Sequence, residues 1–207
     1  MLIPLQFLLD KYSIHITGIL HIGAHECEEL ESYVNCGVNK KDVYWVEGNE
    51  DIYLKMKAYD IPNLIHALID SEDDKDVVFN ISNNGQSSSI LEFGTHSSHH
   101  PHVKYVGSRS YKTKRLDTLI DENKIPIKKT NFINLDIQGV ELRALKSMEK
   151  YLHHLDYIYT EVNSDYVYKN CNLIGEMDEY LEKFNFKRVE TNFCRNFGWG
   201  DAFYMKQ

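Results

Sequence analysis

Three acids stand where chemistry can use them: Glu47 closing D-V-Y-W-V-E, Asp136 closing N-F-I-N-L-D, and Glu161 near the end of D-Y-I-Y-T-E-V. Each follows a run dense in β-branched and aromatic residues, the composition of a buried strand. Ligands of an open α/β sheet bind outside the carboxyl ends of its parallel strands, so the three carboxylates should converge on one crevice. A carboxylate there can accept hydrogen bonds from paired ribose hydroxyls, orient an acceptor, or take a proton. Glu47 follows the glycine of G-I-L-H-I-G-A-H-E-C-E-E-L-E at about the interval where a dinucleotide fold sets its ribose-binding acid.

The glycine stretch supplies the corner these acids need. Ile19, Leu20 and Ile22 end a buried strand, Gly23 and Ala24 make a small-residue turn, and a helix with Leu30, Tyr33 and Val34 is expected from Glu26. The missing side chain of Gly23 lets a ligand approach the backbone, and a helix N-terminus offers N–H groups to an anion. A single glycine fails G-x-G-x-x-G, and no phosphate-cradling G-x-x-x-x-G-K-[ST] loop occurs.

Further strands are expected at 63–67, 77–82, within 104–116, and as a closing antiparallel pair at 186–193 and 199–205. Helices are expected at 51–59, over L-D-T-L-I-D-E-N, at 140–148 and at 173–184. Alternating strands and helices argue for parallel strands joined by right-handed crossovers. Without a repeat or low-complexity linker, 1–207 reads as one domain, with 1–15 as a packing segment. The polar stretch 83–103 is too long for an ordinary connector and reads as a substrate loop or lid.

With 43% hydrophobic residues the chain can build a sizeable core, and its formal charge of −8 offers no footprint for nucleic acid or an anionic membrane. A small or neutral partner is expected; the sequence leaves the oligomeric state open. Cys27, Cys36, Cys171 and Cys194 lack C-x-x-C spacing and read as free thiols of a reducing compartment. The opening residues lack a basic n-region and cleavage site, and no apolar run reaches spanning length. The expected setting is the cytoplasm.

Four segments carry a resemblance: H-I-G-A-H-E-C-E-E at 21–29, V-E-G-N at 46–49, I-N-L-D-I-Q-G-V-E-L-R-A-L at 133–145 and T-E-V-N at 160–163. On these the chain resembles the FkbM-type methyltransferases, a Rossmann-like class I group that uses S-adenosylmethionine. The resemblance implies a mostly parallel seven-stranded sheet with an antiparallel last strand and helices on both faces. It implies a cofactor site built from His21, Gly23, Ala24, His25, Glu47, Gly48, Asn49, Ala67, Leu68, Asp70, Ser88 and Asp136. Gly23 and Ala24 would pass under the methionine portion, Glu47 would hold the ribose, and Ala67 to Asp70 would flank the adenine. The family commonly has an acid where His21 stands and a glycine where Cys27 stands. Either affinity falls, or another carboxylate such as Asp136 meets the cofactor's amino group; Cys27 is expected inside a helix, where a small thiol fits.

The expected reaction is O-methylation of a hydroxyl on a small metabolite, sugar or glycan, with Asp136 and Glu161 as catalytic residues. Asp136 leads as the group that orients the acceptor or takes its proton. Glu141 is a weaker candidate that can equally brace its own helix turn. Asp136, Glu161 and Asn163 are oxygen donors of the type magnesium or calcium prefers, but a metal-free site is the favoured reading. His96, His99, His100 and His102 lie close in sequence without cysteine partners and read as part of the polar substrate loop. A nucleotide-dependent oxidoreductase of the NAD type and a catalytically inactive Rossmann-like binding protein are the alternatives, since many functions share this sheet.

Overall fold

The apolar alternation of the strands decides how the molecule is layered. The computed structural model describes all 207 residues. Strands β1 (Ile19–Ile22), β2 (Val43–Glu47), β3 (Leu64–His66), β7 (Phe132–Leu135), β8 (Tyr157–Asn163), β9 (Phe186–Phe193) and β10 (Trp199–Lys206) form one sheet in the order β3-β2-β1-β7-β8-β10-β9. Every neighbouring pair from β3 to β8 is parallel, while β10 runs antiparallel to both β8 and β9. Successive side chains of a strand point to opposite faces, so Leu20, Ile22, Ile133, Leu135 and Ile158 meet one helical layer. Ile19, Trp45, Phe132, Tyr159 and Phe203 meet the other.

The first layer comprises α5 (Leu116–Glu122), α6 (Glu141–Ser147) and α7 (Ile174–Glu182), through Leu119, Leu145 and Leu181 among others. The second is built by α1 (Leu5–Tyr12), α2 (Leu30–Asn35) and α3 (Glu50–Lys57), with Leu5, Leu8, Tyr33 and Met56 buried. Residues 1–15 therefore pack on the sheet, anchored by Ile3, Leu5, Leu8 and Ile14. Full burial of side chains of this size contributes about 1.5–3 kcal/mol each.

A second sheet of β4 (Leu68–Ile69), β6 (Tyr105–Lys114) and β5 (Asp76–Ser82) stands beside the first, in the order β4-β6-β5. The segment 83–103 leaves β5, forms the single turn α4 (His96–His99), and is held by two isolated bridges within its length. Ser89 pairs with Asn80 of β5, and Phe93 pairs with Tyr168, which follows β8. No helix is long and apolar enough to cross a membrane.

The helix expected from Glu26 begins only at Leu30. His25 and Cys27 have φ of 42° and 55°, left-handed values that interrupt a right-handed helix. Cys27 therefore sits in a turn and not inside a helix, at a backbone conformation that glycine adopts without strain. The helix N-terminus expected beside Gly23 is likewise displaced by this turn.

Candidate functional site

Register brings the acids together. The last paired rows are Ile22 with Val46 and with Leu135, and Leu135 with Thr160. One residue further along come Glu47, Gly23, Asp136 and Glu161, and Asp201 of β10 pairs directly with Glu161. Glu47, Asp136, Glu161 and Asp201 thus form one transverse row on one face of the sheet, with neighbouring strands about 4.8 Å apart. The row lines a cavity of about 500 Å³.

Gly23 has φ of 89° and donates its N–H to the Val46 carbonyl at 2.9 Å. A Cβ there would overlap the carbonyl oxygen of Asp136, so the glycine is required by the neighbouring strand end as well as by any ligand above it. Glu47 is buried: its Oε2 accepts the His25 N–H at 2.7 Å and its Oε1 the Asn49 N–H at 2.6 Å. Burial pushes its carboxyl above the usual range, and the two N–H groups partly oppose the shift. Each oxygen retains a second lone-pair site, so the carboxylate can still accept from a ligand that offers two hydroxyls.

Asp136 is exposed and opens onto the cavity, at the carboxyl end of β7. Desolvation by the cavity walls and the neighbouring Asp201 carboxylate push its pKa up to about 7. Glu161 is raised as well, by burial and then by Asp136. The amide nitrogen of Gln138 donates to both, and Tyr168 donates its hydroxyl to the Gln138 oxygen. Gln138 has φ of 57° and is held there partly by Ser89, whose Oγ donates to the Gln138 carbonyl at 2.8 Å. Gln138 therefore fixes the two carboxyl groups relative to each other. Glu141 accepts the N–H groups of Ile137 and Gly139, each at 3.0 Å, and so braces the turn that carries Gln138.

Beneath the row lies a buried polar layer. His21 stacks on Trp45 with centroids 4.8 Å apart, and its Nδ1 is 3.1 Å from the Tyr33 hydroxyl, which also accepts from Asn134 at 2.8 Å. Burial lowers the His21 pKa to about 3, so the ring is neutral and supplies no charge in place of the acid expected there. Asp201 accepts the hydroxyl of Tyr159 and the Leu2 N–H through Oδ2.

The cavity gathers most of the expected residues: His21, Gly23, Ala24, His25, Glu47, Gly48, Asn49, Ala67, Leu68, Ser88, Asp136 and Glu161 line it. Asp70 does not. Its buried carboxylate turns away toward Lys75 and Arg143, at 3.6 and 3.8 Å, and Ile69 lines the wall beside Ala67 and Leu68 instead. Ser88 faces the cavity with its hydroxyl already donated to the Gly85 carbonyl at 2.7 Å. His96, His100 and His102 contribute to the wall, and His96 stacks on Phe93 at 4.2 Å. Asn163 is buried and does not line the cavity, so it does not join Asp136 and Glu161. No three His, Cys, Asp or Glu side chains are arranged to hold a metal ion.

Two residues escape a local reading of the sequence. Asp201 enters the row through pairing with β8, which nothing in G-W-G-D-A-F-Y announces. Gln138 owes its place to a left-handed backbone, a conformation for which the following Gly139 is the nearest signal.

Solved structures share this fold. The Streptococcus pneumoniae protein Sp1610, a candidate tRNA (m1A22) methyltransferase, superposes with a TM-score of 0.52 at 12% identity, over 100% of this chain and 71% of that one. An S-adenosylmethionine-dependent methyltransferase from Clostridium acetobutylicum gives 0.52 at 8% identity, over 98% and 89%. Magnesium protoporphyrin IX methyltransferase from Synechocystis, with bound S-adenosylmethionine, gives 0.50 at 9%, over 98% and 76%. No curated protein matches the chain significantly. The profile of the family described as Methyltransferase FkbM domain matches residues 21–188, all but the two ends of the chain. The chain therefore belongs to the FkbM-domain family of S-adenosylmethionine-dependent methyltransferases.

Proposed function

We propose that the protein methylates a hydroxyl group of a small metabolite or sugar, with Asp136 as the general base. The observation that carries this reading is the single row of Glu47, Gly23, Asp136 and Glu161 along one cavity wall. The residues present suit the cofactor. Ala67, Leu68 and Ile69 offer an apolar wall for adenine, and Glu47 has free acceptor sites for both ribose hydroxyls. The backbone of Gly23 and Ala24 lies open to the methionine portion. S-adenosylmethionine supplies an electrophilic methyl group on a cationic sulfur, a charge that acidic walls favour.

Methyl transfer to a hydroxyl is an in-line displacement in which the acceptor loses its proton as its oxygen forms the new bond. Asp136 takes that proton. Its raised pKa matches a base working near neutral pH, where general-base catalysis contributes about 10²–10⁴-fold. Gln138 holds the Asp136 carboxylate against Glu161, and Glu161 orients the acceptor from the next strand. The net charge of −8 supports a small-molecule or glycan acceptor over nucleic acid.

Calorimetric titration tests the reading against its rivals. The purified protein should bind S-adenosylhomocysteine with one site and not NAD. Binding of NAD in preference would favour the oxidoreductase, and binding of neither would favour an inactive binding protein.

A further inference from the structure

The acids of the row are distributed along the cavity in a way that separates its two halves. S-adenosylmethionine, read as above, occupies the β3, β2 and β1 side, from Ala67 past Glu47 to Gly23. Three strand spacings from β2 to β8 set Glu161 about 14 Å from Glu47, and Asp201 lies one strand further on. Glu161 and Asp201 therefore wall the acceptor half, together with Tyr168, Trp199, His96 and His100.

Neither half contains a lysine or arginine. Glu28, Glu29, Glu47, Asp136, Glu161 and Asp201 all line the cavity; the Met1 amino group, 3.6 Å from Glu29 and close enough to favour the Asp201 carboxylate, is one positive charge against these six acids. Two carboxylate oxygens of the acceptor half's buried acids accept no hydrogen bond from the protein. Glu161 is 6% exposed and accepts from Gln138 through Oε2 only; Asp201 is 7% exposed and accepts through Oδ2 only. Glu161 Oε1 and Asp201 Oδ1 therefore take no hydrogen bond from the protein, and both belong to side chains more than nine-tenths buried that line the cavity. Buried carboxylates gain most from a ligand that brings both donors and positive charge. A phosphate or carboxylate in the same place would meet an excess of like charge that the single Met1 amino group does not balance.

We propose that the methyl acceptor carries a protonated amine, received by Glu161 and Asp201 beside the hydroxyl presented to Asp136, and bears no phosphate or carboxylate. Amino sugars and amino alcohols are the substrate class this describes. The inference rests on the methyltransferase reading and assigns the acceptor end of the same site. A cation entering here also relieves the mutual repulsion of Asp136, Glu161 and Asp201, so the charge that the empty row resists becomes favourable once the acceptor is bound.

The test uses the full chain saturated with S-adenosylhomocysteine and three probes that share one ring: glucosamine, glucose and glucose 6-phosphate, titrated calorimetrically. Glucosamine should bind at least tenfold tighter than glucose, and glucose 6-phosphate more weakly than either. In Asp201→Asn, which keeps an acceptor oxygen for Tyr159, the preference for glucosamine over glucose should fall at least fivefold, with S-adenosylhomocysteine affinity changed less than threefold. Equal binding of glucosamine and glucose, preference for the phosphate, no binding of any probe, or an unaltered preference in Asp201→Asn would each overturn the proposal. Failure of S-adenosylhomocysteine to bind the unaltered protein would instead sink the methyltransferase reading beneath it.

Discussion

Replacing Glu47 by Gln tests whether one carboxylate can serve the protein's corner and a ribose together. In the folded chain both oxygens already accept a backbone N–H, from His25 at 2.7 Å and Asn49 at 2.6 Å. An amide offers a single oxygen. Whichever way it turns, its NH₂ faces one of those N–H groups, and one ribose hydroxyl loses its acceptor. A hydrogen bond to a charged group is worth about 1.5–3 kcal/mol, so S-adenosylhomocysteine should bind the variant roughly ten to 150 times more weakly. Calorimetry with S-adenosylhomocysteine and its 2′-deoxy analogue isolates the contact: the unaltered protein should prefer the ribose form, and Glu47→Gln should lose most of that preference. Circular dichroism and thermal unfolding check that the variant is folded. An affinity within twofold of the original, or an equal ribose preference in both proteins, would refute the assignment.

Asp136→Asn should lower transfer of labelled methyl from S-adenosylmethionine to an acceptor by about 10²–10⁴-fold while leaving S-adenosylhomocysteine bound. In the unaltered protein the transfer rate should rise with pH through about 7, because the base is active only after losing its proton. The same shift carries a stability consequence. A carboxyl whose folded pKa lies above its unfolded value favours the folded state at low pH and loses that contribution as pH rises toward 7. Asp136→Asn should therefore raise the melting temperature at pH 8, with the gap closing at pH 4; a variant less stable at pH 8 would contradict this. Gly23→Ala must both hold a β-carbon at φ of 89° and displace the Asp136 carbonyl. Denaturant unfolding should show a loss of about 2–5 kcal/mol, and a loss under 1 kcal/mol would mean that the strand end yields freely. Methyl transfer should survive a chelator such as EDTA, and restoration of lost activity by added magnesium would establish the metal-assisted route instead.

Much of the sheet was legible because its signals are local. The strands ending at Glu47, Leu135 and Asn163 follow apolar runs whose burial the alternation requires, and the Gly23 corner follows from a small-residue turn between strand and helix. Positions set by left-handed backbone were not legible in the same way: His25 and Cys27 defer the helix to Leu30, and Gln138 swings its amide between two acids. The family resemblance implies Asp70 as an adenine neighbour, but β4 pairs with β6 in the second sheet and the Asp70 side chain lies toward Lys75 and Arg143. Asp201 required the register between β8 and an antiparallel β10, a relation between segments about forty residues apart that no periodicity encodes.

The most direct measurement of the central claim is a crystal structure grown with S-adenosylhomocysteine. The ribose should lie on Glu47, the homocysteine portion over Gly23 and Ala24, and the sulfur within reach of an acceptor held against Asp136. A nucleoside bound away from Gly23 and Glu47 would contradict it, and the roles given to Asp136, Glu161 and Asp201 would fall with it.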